Sequence, residues 1–165
     1  MTLKGLLTGC ILCLALLGVL ILPSFSKTED SGIKKAVYHV DFGDAKRMDA
    51  TLRNIYNLVN YYTTNNIDYD VRVVSNSAGV QFMIKDVKGT KFAGRIIPAK
   101  TATSITERMQ SLADGYNVKF EQCSITLQRT HIDKSRLKPF VKTTSSGQVR
   151  LVDLEEQGYA YIKVQ

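Results

Sequence analysis

A chain of 165 residues has room for one domain and little more. Its net charge of +7 suits an anionic partner or surface. No helix-turn-helix, zinc-finger or aromatic RNP pattern accompanies that charge, so nucleic acid is not an expected partner. Two histidines and three cysteines fall into no zinc spacing. Walker A, G-x-G-x-x-G and serine-elbow signatures are also missing, so neither a metal nor a cofactor is expected.

Residues 1–26 read as an export leader. Lys4 is a short positive n-region, no charge interrupts Gly5 to Leu22, and Ser24 and Ser26 suit cleavage after Ser26. The alternative is an uncleaved inner-membrane anchor, because roughly 18 apolar residues just span a bilayer. Leu7-Thr8-Gly9-Cys10 has the outline of a lipoprotein box but precedes the apolar run instead of following it. On either reading the domain is periplasmic or otherwise exported, and only the leader is expected to meet a membrane. Cys10 and Cys13 fall within the leader, which leaves Cys123 as the single thiol of the remainder, with no intramolecular disulfide open to it. Without Lys4 the net charge falls to +6.

Residues 27–33 form a polar linker, and the domain is expected over 34–165. Lys34 to Asp41 alternates as a strand, with Ala36, Tyr38 and Val40 on one face and Val37 and His39 on the other. Asp44 is a candidate N-cap for a helix over Ala45 to Thr64, whose stripe is Met48, Leu52, Ile55, Val59 and Tyr62. Asn65-Asn66 ends it, Tyr69 to Ser75 is a second strand, and Asn76 to Gly79 turns into a short helix over Val80 to Asp86. Lys88 to Lys100 reads as a loop. A helix over Thr103 to Gly115 follows, with Ile105, Met109 and Leu112 inward and Gly115 as its stop. Asn117 to Gln122 is a third strand with Val118 and Phe120 inward. Helical turns at Ser124 to Arg129 and Asp133 to Leu137 precede a short strand at Lys142 to Thr144. A helix over Gly147 to Gln157 presents Val149, Val152 and Leu154, and Tyr159 to Val164 is the last strand. Strands alternating with helices predict a single compact α/β domain. Its sheet should be mostly parallel, of about five strands with helices on both faces, flavodoxin- or Rossmann-like.

Cys123 is the leading candidate for chemistry because it stands where a strand ends and a helix begins. Free N–H groups and the positive end of a helix favour a thiolate there, and open α/β sheets place sites at the carboxyl ends of strands. Arg129, Lys134, Arg136 and Lys138 follow closely and are candidates to strengthen the effect or to bind an anion or partner. The competing reading is a buried structural cysteine, common for this residue type. His39 lies near the carboxyl end of the first strand and is a possible neighbour of Cys123. Spacing alone gives a Cys–His pair no support, and a hydrogen-bonded core histidine is the plainer reading. His131 reads as solvated. Lys85, Lys88, Lys91, Arg95 and Lys100 form a solvated basic face or, functionally, an anion-collecting rim.

Five segments together resemble the DsrE/DsrF-like proteins: KAVYHVDFGD, LRNIYNLVN, VRVVSNSAGVQFM, VKFEQCSITLQRTHID and GQVRLVDLEEQGYAYIKV. They run from Lys34 to Val164. The resemblance implies a compact parallel α/β fold, assembly into trimers or hexamers, and a sulfur-relay role in which a cysteine after a central strand carries a persulfide. Cys123 occupies that position. The implied function is an exported sulfur carrier or sulfurtransferase, with sulfur donor and acceptor proteins or small sulfur anions as partners. The alternative is a non-catalytic oligomeric module that binds a small anion or a protein, with Cys123 structural. Three features depart from the family pattern: the leader, a long Lys88 to Lys100 loop, and Leu58 where a histidine is expected after the N-x-x-N of the first helix.

Overall fold

The computed structural model describes residues 32–94 and 97–165; the leader, most of the linker and Arg95 lie outside them. Five strands form one parallel sheet: β1 Lys34–Val40, β2 Tyr69–Ser75, β3 Lys119–Cys123, β4 Val141–Thr144 and β5 Ala160–Ile162, in the order β4-β3-β2-β1-β5. The helices are α1 Ala45–Thr64, α2 Val80–Met83, α3 Ala99–Tyr116, α4 Ser124–Thr130 and α5 Gly147–Glu156. This is the α/β architecture that the alternation predicted.

Alternation along β1 divides the core. Ala36, Tyr38 and Val40 pack with the α1 residues Met48, Leu52, Ile55 and Val59 and with Ile105, Met109 and Leu112 of α3. Val37 and Val74 pack on the opposite face against Leu151 and Leu154 of α5. Both faces of β1 and β2 are therefore covered toward their carboxyl ends, as in parallel sheets generally. The register sets His39, Val74, Glu121 and Lys142 in one row across the sheet. The α5 face thus changes from apolar at β1 to charged at β3 and β4.

Several boundaries differ from expectation for identifiable reasons. Asp44 caps α1 as expected, accepting from the Arg47 backbone N–H at 2.7 Å. Helix α3 begins at Ala99, directly after Pro98, four residues ahead of the expected start at Thr103, and so takes Ala99 and Lys100 from the expected loop. It runs through Gly115 and ends at Asn117, which adopts the left-handed conformation (φ 53°). Asparagine tolerates that region better than most non-glycine residues, so it does the work expected of Gly115. By contrast α2 is short, because Ile84 turns extended and pairs with Leu137. The Lys138 ammonium fixes that turn by donating to the Phe82 and Ile84 carbonyls at 2.7 and 2.6 Å.

The expected apolar face of α5 is corrected. Val149 and Val152 are 56% and 54% exposed, whereas Leu151 and Leu154 are buried. Gly147, Leu151 and Leu154 recur at helical spacing and face the sheet, which turns Val149 and Val152 to the opposite side. No helix among the described residues is long and apolar enough to cross a membrane.

Candidate functional site

The site lies where β1, β2 and β3 end, on the face that α5 covers. Cys123 closes β3 and is the N-cap of α4; it is 5% exposed. Burial pushes the thiol pKa up. Hydrogen bonds from the Gly147 and Thr126 backbone N–H groups, the Thr126 hydroxyl and the Ile125 N–H outweigh it and bring the thiol below its ordinary value. Two helix starts converge on one sulfur: Ile125 and Thr126 lie in the first turn of α4, and Gly147 opens α5. Unpaired N–H groups at such starts are natural donors to an anion.

Close approach of α5 requires Gly147. A Cβ there would stand 3.2 Å from Cys123 Cβ and 3.3 Å from Asn76 Cβ. Ser146 caps α5 and aims its first turn at the site. Thr126 braces the other side. Its hydroxyl accepts from the Ser77 N–H at 3.1 Å, so its one proton remains for the thiol. Ser77 holds a left-handed φ of 47°, an unfavourable conformation for serine, at the turn that follows β2.

The structure places His39 at this rim, linked to Cys123 only indirectly. The ring is 6% exposed. Nδ1 pairs with the Tyr161 hydroxyl at 2.8 Å and Nε2 with Asn76 Oδ1 at 3.2 Å. Both ring nitrogens are engaged, so His39 meets the site through Asn76. Burial holds its pKa below the ordinary value, against the opposing effects of the Asn76 hydrogen bond and Asp41. The ring is neutral at pH 7.

The basic candidates are dispersed. Arg136 binds the Asp86 carboxylate at 3.0 Å and the Lys88 carbonyl at 2.6 Å. Lys138 is buried on its two carbonyls, and burial pushes its pKa down to about 8. Arg129 lines a hollow with Ser77, Lys91 and Thr126, and Lys134 lines another with Ser124 and His131. Lys85 donates to the Ser135 carbonyl at 2.9 Å. Among the described residues no His, Cys, Asp and Glu cluster has the makings of a metal site.

Sequence reasoning missed Asn76, Thr126, Gly147 and Tyr161. Thr126 is local, in the first turn of the helix that Cys123 caps; the places of Asn76, Gly147 and Tyr161 depend on strand order and on how α5 crosses the sheet, which local pattern does not carry. A turn of Asn-Ser beyond a strand end was the only available signal for Asn76.

The DsrE/DsrF-like family model matches residues 37–164, a span that contains every residue of the thiol site. The chain belongs to the DsrE/DsrF-like family. A solved structure of a protein of unknown function from Methanobacterium thermoautotrophicum, MTH1491, is similar at 25% identity with a TM-score of 0.59. The alignment covers 79% of this chain and 98% of that one. No curated protein matches the sequence. The MTH1491 structure shares the fold of the parallel sheet described above.

Proposed function

We propose that this DsrE/DsrF-like protein is an exported sulfur carrier that holds a persulfide on Cys123. The observation that carries the reading is the thiol cradle: donors from the starts of α4 and α5 lower the thiol's pKa despite its burial. A thiolate is the reactive form for attack on a sulfane sulfur. With thiosulfate as donor, the Cys123 thiolate attacks the outer sulfur and a Sγ–S bond forms. The S–S bond of thiosulfate breaks, and sulfite leaves with the electron pair. In delivery an acceptor thiolate attacks the carried sulfur, and the electrons of the Sγ–S bond return to Cys123. No external oxidant or reductant enters either step. Assembly of identical chains into trimers or hexamers and cleavage of the leader after Ser26 belong to the same reading.

The test is intact mass after exposure to thiosulfate or polysulfide, with sulfide, which carries no sulfane sulfur, as the negative control. The expected result is a gain of one sulfur that a reductant removes and that Cys123→Ser abolishes. No adduct from any donor, with Cys123 resisting alkylation until the protein unfolds, would replace this reading with a non-catalytic binding module. Light scattering of the purified protein checks the assembly, and N-terminal sequencing of the exported protein checks the cleavage.

A further inference from the structure

Asn76 presents the two ends of its amide to different neighbours. The residue is 7% exposed and follows β2 at the thiol site. Its Oδ1 faces His39 Nε2 at 3.2 Å. A carboxamide oxygen only accepts, so the ring proton sits on Nε2, and Nδ1 accepts from the Tyr161 hydroxyl. This pairing turns the amide nitrogen the other way. Nδ2 lies 3.4 Å from the point where a Gly147 Cβ would stand, and Cys123 Cβ lies 3.2 Å from that same point. The amide nitrogen and the thiol-bearing carbon therefore border the same point at the start of α5, while the amide oxygen is held by His39.

We propose that Asn76 Nδ2 donates to the outer sulfur of a Cys123 persulfide, with His39 as the positioning residue that fixes the amide in that orientation. The inference rests on the persulfide reading above and names the group that holds the carried atom. The outer sulfur bears the negative charge of a persulfide, and a charge-assisted hydrogen bond stabilises it. The thiol cradle serves Sγ before loading, and Asn76 serves the added sulfur after it. His39 gains a role that needs no proton transfer: its Nε2–H prevents the amide from turning its oxygen toward an anion.

The exported protein, cleaved after Ser26 so that Cys123 is its single thiol, is loaded with thiosulfate or polysulfide, and the pH midpoint of alkylation is measured for the loaded and unloaded forms. In Asn76→Ala the midpoint of the loaded form should rise by about one pH unit, a tenfold effect, while the unloaded thiol keeps its own. His39→Leu should raise the loaded midpoint in the same direction, and His39→Gln, which retains a donor for Oδ1, should restore it. Asn76→Leu keeps the approximate volume with neither donor nor added charge and serves if the alanine variant does not fold. An unchanged loaded midpoint in the Asn76 variants, or equal shifts in both forms, would overturn the proposal and leave the persulfide reading standing. Failure of the wild-type protein to load would overturn both.

Discussion

Cys123 combines near-complete burial with a thiol pKa below its ordinary value, because its hydrogen-bond donors are fixed by the fold. Thr126 supplies both a backbone and a hydroxyl donor. Thr126→Val keeps the shape and removes the hydroxyl, so the alkylation midpoint of Cys123 should move up; a midpoint equal to wild type would show that the backbone donors suffice. His39 makes a second prediction. Its folded pKa lies below its unfolded value of about 6.5, so the unfolded chain binds more protons as the pH falls past that value. The stability tied to a neutral His39 is complete above pH 6.5 and declines below it. Tyr161, Asn76, Asp41, Lys163 and Arg47 are the polar groups acting on the ring. Urea unfolding of wild type and His39→Gln between pH 5 and 8 should show a pH-dependent difference, and parallel curves would remove His39 as its source.

At the scale of elements, α5 joins the site to the sheet in two ways. Its first residue reaches the thiol, and Gly147→Ala would press a methyl group against Cys123 and Asn76. Overpacking of this kind costs about 1–3 kcal/mol. If the helix start moves away to relieve it, the thiol loses the Gly147 donor, so a lower melting temperature should accompany a higher alkylation midpoint. One turn further on, Arg150 donates to Glu121 at 2.6 and 3.0 Å, and Arg72 donates to the same carboxylate at 2.8 Å. Burial pushes the Glu121 carboxyl up, but the two guanidinium groups outweigh it and hold it below its usual range. Its contribution is therefore present at neutral pH and is lost as the pH falls through the depressed folded pKa. Glu121→Gln leaves Arg72 and Arg150 without their shared anion and should cost about 3 kcal/mol, measured by urea unfolding at pH 7.

Across the whole molecule the two faces of the sheet are covered unequally. One carries α1 and α3 over a continuous apolar core; the other has α5 over Val37 and Val74. Beyond α5, the β3 and β4 side of that face borders a cavity of roughly 660 Å³ lined by Arg72, Lys119, Glu121, Lys142 and Arg150. Both cores share β1 and β2, so neither layer can dissolve alone without exposing the central strands. A chain beginning at Gly32 should accordingly unfold in one cooperative transition, with far-ultraviolet dichroism and tyrosine fluorescence giving the same midpoint.

The amino-acid sequence by itself determined the elements and their inner faces wherever a period was strong. The α1 stripe and the β1 alternation are local, repeated and apolar, so hydrophobic periodicity reads them directly. It also placed Cys123 at a strand end, because that position depends on neighbouring residues alone. Where periodicity was weak, as in α5, two exposed valines were mistaken for the packed face. Only the tertiary structure brought Asn76 and Gly147 to the thiol and divided the basic residues after it among separate tasks. Those contacts join residues dozens of positions apart, and the strand order β4-β3-β2-β1-β5 that creates them is a property of the assembled sheet.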